Sequence, residues 1–135
     1  MDDPKQHDRK RRLSRRDKFQ ATAATLNTTE ACLQYFAKHQ HNHPYTLLAM
    51  LERGLENIKT LQGKLSPTEA PLLAEMGRLC NIISHKYRIM DRQACDYFEQ
   101  ALALDSTNAL ARTEYSGLRK KLGADPQTER DATPL

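Results

Sequence analysis

Ala94, Phe98 and Ala101 stand at i, i+4 and i+7, so a helix through them carries one large ring between two small residues on a single face. Small residues let a neighbouring helix approach closely, and the ring fills the gap between the two backbones. Asp105, Ser106, Thr107 and Asn108 follow, and their side chains compete for backbone hydrogen bonds and stop the helix. The expectation is an antiparallel helix pair with Phe98 buried between this helix and the one before it. Apolar spacing is helical almost everywhere else, interrupted by only six prolines and five glycines. The chain is therefore expected to be all-α, with five to six antiparallel helices in a helical-repeat array or a compact bundle.

In chain order, Phe19, Ala23 and Leu26 give a short helix over 14–26, and Asn27-Thr28-Thr29-Glu30 resembles a capping box with Asn27 as the cap. The next helix, 28–40, carries Cys32, Leu33, Phe36 and Ala37 on one side. Pro44 suits the first turn of a helix over 44–61 with its stripe at Leu48, Leu51, Leu55, Ile58 and Leu61. Gly54 interrupts that stripe at a modest helix-propensity cost, and Gly63 marks the exit. Ser66-Pro67-Thr68-Glu69 is a second capping box. It opens a long helix to about residue 88 with stripes at Leu72, Met76, Leu79, Ile83 and at Leu73, Cys80, Tyr87. Two stripes make this helix central. Asp91 is expected to cap the 94–104 helix, and Asn108 the last one, whose stripe is Ala111, Tyr115, Leu118 and Leu122.

The net charge of +4 is unevenly placed. Residues 1–18 hold eight basic side chains against four acidic ones, and residues 19–135 hold 13 of each, so the surplus belongs to the first segment. Residues 1–13 have too few apolar side chains to offset ordering entropy and are expected to be a disordered basic tail; 124–135 are polar and are read as a second tail, leaving 14–123 as the domain. Six of the eight residues from 9 to 16 are basic: Arg9, Lys10, Arg11, Arg12, Arg15 and Arg16. They are either a solvated tail or a contact for phosphate groups on nucleic acid, a lipid surface or an import receptor. No aromatic residue lies in that run to stack on bases. Arg11-Arg12-Leu13-Ser14 also resembles the site of a basic-directed protein kinase, and a phosphate there would weaken the arginines' grip on other phosphates. The charged start is unlike a secretory signal, and no apolar run is long enough to span a membrane. Cytoplasmic residence is expected, with a nuclear location as the alternative.

His39, His41 and His43 alternate, which would align three imidazoles in an extended segment. No Cys, Asp or Glu adjoins them, and a polar linker is the simpler reading, so neither metal nor cofactor is expected. Cys32, Cys80 and Cys95 are odd in number and embedded in apolar helices, as buried free thiols in a reducing compartment would be. There is no glycine-rich phosphate loop, H-E-x-x-H, C-x-x-C or G-x-S-x-G. A Cys80 or Cys95 dyad with His85 is the one nucleophilic arrangement open, and an enzyme is not expected.

The Ala94, Phe98, Ala101 spacing and the exit turn after it resemble the second helix of a tetratricopeptide repeat, with the best match over one 34-residue unit, 75–108, and Ser106 at the family's usual proline. Leu122-Gly123 is similar to the end of a further first helix. The resemblance implies a TPR-like array that binds a peptide or helical segment of a partner protein, as an adaptor or small chaperone-like subunit. It places first-helix positions Met76, Leu79, Ile83, Lys86 and Tyr87, then Leu110, Thr113, Gly117 and Lys120, on the ligand face. Met76, Leu79 and Ile83 are apolar and expected under the preceding helices, which leaves Lys86, Tyr87, Thr113 and Lys120 as the partner-binding residues. A nucleic-acid-associated protein that grips phosphate through the tail is the alternative, and a subunit completing its core as a homodimer is a third.

Overall fold

The computed structural model describes residues 14–87 and 90–123, leaving out the side chains of residues 86–87 and 123. Among them lie six α-helices and no strand: α1 (Arg15–Thr25), α2 (Thr29–His39), α3 (Pro44–Gln62), α4 (Ala70–Tyr87), α5 (Asp91–Leu104) and α6 (Ala109–Gly123), with a 3-10 turn at Pro67–Glu69 before α4. The all-α expectation holds. Arg9, Lys10, Arg11, Arg12 and both expected tails lie outside the described residues.

Helix α4 is the axis of the molecule. Leu72, Leu73, Met76, Leu79, Cys80 and Ile83 are all at most 4% exposed, because α2 and α3 cover one side and α5 and α6 another. Helix α5 runs antiparallel to α4: Ser84 donates to Asp91 near the turn, while Phe98 packs on Gly77 two turns further back. A Cβ at Gly77 would stand 2.5 Å from the Phe98 ring, so glycine is what lets the ring lie flat on the α4 backbone. Phe98, Ala94 and Ala101 are fully buried, as their spacing foretold. Helix α6 doubles back along α5, with the Tyr115 hydroxyl donating to Glu99 Oε1 at 2.7 Å.

The first three helices form a second layer. Gly54 of α3 approaches the corner between α1 and α2 so closely that a Cβ there would lie 2.5 Å from Cys32 Sγ. Asn57 donates to the carbonyls of Ala23 and Leu26 at 2.8 and 3.1 Å, pinning the end of α1, where Ala23 O also accepts from the Leu26 amide. Polar links join the layers: Thr29 Oγ1 donates to Glu69 Oε2 at 2.8 Å, and Glu52 Oε2 accepts from the Tyr97 hydroxyl at 2.8 Å and from Gln93 Nε2 at 3.2 Å.

Several local expectations are corrected. Thr28, not Asn27, caps α2, accepting from the Ala31 amide at 3.0 Å, and Glu30 turns to Gln34 instead of reaching back. Asp91 is the first residue of α5 and accepts from Ser84; Met90 precedes it as the cap residue. Leu61 is 69% exposed, since α3 runs past the layer that buries Leu51 and Ile58. Ala37 is exposed as well, and Thr29 takes the buried place beside Cys32 and Phe36. The capping box at Ser66 and Glu69 forms as read, with both Ser66 N and Oγ donating to Glu69 Oε1 at 2.8 Å.

Candidate functional site

Helices α4 and α6 run side by side in the same direction: Asn81 in the second half of α4 meets Glu114 in the first half of α6, and further along both Lys121 reaches Asp91, the partner of Ser84. Between them opens a cleft of about 590 Å³. Helix α4 contributes Arg78, Asn81, Ile82 and His85, the i, i+3, i+4, i+7 face. Helix α6 contributes Thr113, Glu114, Gly117, Leu118 and Lys121.

The apolar floor is made by Leu118, which is buried, and Ile82, which is 48% exposed. Of the adjacent pair Ile82 and Ile83, the second enters the core and the first faces the cleft. At Gly117 an added Cβ would meet nothing within 4 Å, so the absent side chain deepens the cleft without any packing reason for its absence. The rim is polar and partly fixed. The Arg78 guanidinium donates to Glu75 at 2.7 and 3.0 Å and lies 5.5 Å over the Phe36 ring. Asn81 Nδ2 donates to Glu114 Oε2 at 3.2 Å, and Lys121 Nζ lies 3.6 Å from Asp91. His85 is exposed on the same rim.

Thr113 and Gly117 line this cleft, while Lys120 is exposed outside its lining. Helix α4 continues through Lys86 and Tyr87, whose side chains fall outside the described residues. Met76, Leu79 and Ile83 are core. On α4 the cleft is lined by Arg78, Asn81, Ile82 and His85, which the register carried over by resemblance did not include. The signal for them was the i, i+4 spacing of Arg78 and Ile82 in a helix whose other stripes were already assigned to the interior. Arg15 and Arg16 are exposed in the first turn of α1.

His39 and His43 serve local structure. His39 stacks on Tyr35 with ring centroids 4.2 Å apart, and His43 Nδ1 accepts from the Tyr45 amide at the start of α3. No cluster of three metal-ligating side chains occurs among the described residues. Burial pushes the Cys32 thiol up to about 11 and the Cys80 thiol, with the Glu52 carboxylate adding to it, up to about 12. Cys95 is raised by burial and by Glu99 and Asp96 beside it. All three are free thiols held protonated at neutral pH. A thiol reagent at pH 7.5 should label Cys32 and Cys80 only as fast as the protein unfolds; rapid native labelling of either would contradict their burial. A second hollow of about 470 Å³ is lined by Thr29, Glu30, Leu33, Gln34 and Ala37 of α2 and by Thr68.

No helix among the described residues is long and apolar enough to cross a membrane. Comparison with models of known families, with characterised proteins and with solved structures gives no match to this chain.

Proposed function

We propose that the chain is a non-enzymatic, TPR-like recognition module, an adaptor or small chaperone-like subunit that seats a segment of a partner protein in the α4–α6 cleft. The observation that carries this reading is the exposed Ile82 between two parallel helices, an apolar anchor point inside a polar rim. The order of α4, α5 and α6 supports it: a hairpin closed on Phe98, then a helix returning beside the first. Thr113 lines the seat and Lys120 is exposed on the same helix, while Lys86 and Tyr87 are assigned to partner binding on the resemblance alone. Adaptor and chaperone roles both use such a seat and differ in what is held.

The test is site-specific photo-crosslinking in native extract, with the reactive group placed at position 82 in one protein and at position 61 in another. Both positions are exposed, so non-specific capture would mark them equally. The expected result is a discrete polypeptide adduct from position 82 alone. Equal labelling, or a nucleic-acid adduct, would count against the cleft. Charge reversal at Lys86 and Lys120 should weaken binding of that polypeptide without unfolding the chain.

A second reading has an observation of its own. Arg15, Arg16 and Lys18 are exposed on α1 and extend the basic run onto an ordered helix, where they could grip nucleic-acid phosphates together with the tail. Binding of that kind would weaken steeply with salt, whereas an apolar seat responds little.

A further inference from the structure

The geometry points to Ser14 as a phosphorylation site for a basic-directed protein kinase, with the added phosphate retained at the start of α1. Two independent observations meet at this residue. In the sequence, Ser14 is the one serine or threonine of the chain with a basic side chain both two and three positions before it, Arg12 and Arg11. Ser66 has only Lys64 and Thr133 only Arg130 at those places, so a kinase whose acidic groove reads paired guanidinium groups has a single acceptor to choose. In the structure, Ser14 is exposed, and its backbone is extended (φ −60°, ψ 163°) just before the helix begins. An extended, exposed hydroxyl can enter a kinase cleft without unwinding α1. The other exposed serines differ: Ser106 lies in the turn after α5, and Ser116 lies within α6.

The step is an ordinary phosphoryl transfer. Ser14 Oγ attacks the γ-phosphorus of ATP, the new O–P bond forms as the bond to the ADP oxygen breaks, and the hydroxyl proton passes to the kinase's base. Before modification, Ser14 Oγ accepts from the Asp17 amide at 3.0 Å and caps α1. The phosphate keeps acceptor oxygens at that point and adds close to two negative charges where the helix dipole and Arg15, Arg16 and Lys18 favour them. Asp17 opposes it with one charge against those three cations. The first turn of α1 is exposed throughout, so it has most to gain from a stronger cap. The same phosphate offsets about two of the positive charges in the basic run, which would lessen any grip of that run on an anionic partner.

The experiment incubates the full chain with ATP and the catalytic subunit of a basic-directed serine/threonine kinase, then maps the product by mass and follows amide exchange. One phosphate is expected, on Ser14, absent in Ser14→Ala and at least tenfold slower to form in an Arg11→Ala/Arg12→Ala variant. That double variant leaves every described residue untouched, so its effect cannot come from misfolding of the helices. The Asp17 and Lys18 amides of the phosphorylated chain should exchange about two- to fivefold more slowly. Phosphate on another hydroxyl, an unchanged rate in the double-arginine variant, or unchanged exchange at Asp17 and Lys18 would each overturn the proposal.

Discussion

Phe98→Ala should destabilise the protein by about 3–5 kcal/mol, the usual cost of emptying a fully buried aromatic site. The loss should appear in thermal melts as a fall on the order of 10 °C or more. The reason lies in two residues on different helices. Gly77 removes a side chain so that α4 can take the ring, and Phe98 fills the space that Gly77 leaves. Gly77→Ala alone forces a Cβ to within 2.9 Å of three ring atoms and should cost about 1–3 kcal/mol, as overpacking does. In the Phe98→Ala background the clash is gone, and the same substitution should be neutral or stabilising by up to about 1 kcal/mol through helix propensity. A double-mutant cycle measures this sign change directly. Additive effects would mean that the ring does not rest on Gly77.

Glu69→Ala should cost about 2–3 kcal/mol at neutral pH, since it strands hydrogen bonds from Thr29 Oγ1, Ser66 N and Ser66 Oγ in a site where Glu69 is 1% exposed. Burial raises the pKa of this carboxyl, but the bonds from the Ser66 amide, the Ser66 hydroxyl and Thr29 outweigh it and hold the pKa below the usual value. A folded pKa below the unfolded one means that the native state prefers the charged form. The contribution is therefore complete above the unfolded glutamate range, about 4.3, and is lost as pH falls through the lower folded value. The wild-type and Glu69→Ala stability curves should converge as the pH is lowered from 5 to 3. A constant gap across that window would mean that the carboxylate charge is irrelevant to the link between the layers.

The helices were legible because their signals are local: the 3.6-residue stripes, the Ser66 and Glu69 box, the left-handed Gly63 and the Asn108 cap all act within a few residues. What could not be read depends on partners far along the chain. Gly54 was legible only as a small propensity loss and Gly77 carried no signal of its own, yet their roles are set by Cys32 and Phe98. Glu69 was legible as a cap, but its bond to Thr29 spans 40 positions. The cleft was only half legible for the same reason. Periodicity puts Ile83 on the interior stripe and leaves Ile82 off both stripes, but only the docking of neighbouring helices decides that Ile82 stays uncovered. Thr113 and Gly117 were named only through the register that the resemblance supplies, and both are exposed on α6.

The central claim is that recognition occurs by shape in the α4–α6 cleft, and Gly117→Leu tests it with the least ambiguity. The position is exposed, a side chain there meets nothing in the folded protein, and replacing a helical glycine should raise stability by about 0.5–1 kcal/mol. The new side chain nevertheless points at the space a partner segment would fill. With the polypeptide captured at position 82 as titrant, the account expects Gly117→Leu to remain folded and bind at least tenfold more weakly, while deletion of residues 2–13 leaves affinity nearly unchanged. A folded Gly117→Leu protein that binds as tightly as the wild type, alongside a deletion that abolishes binding, would contradict it.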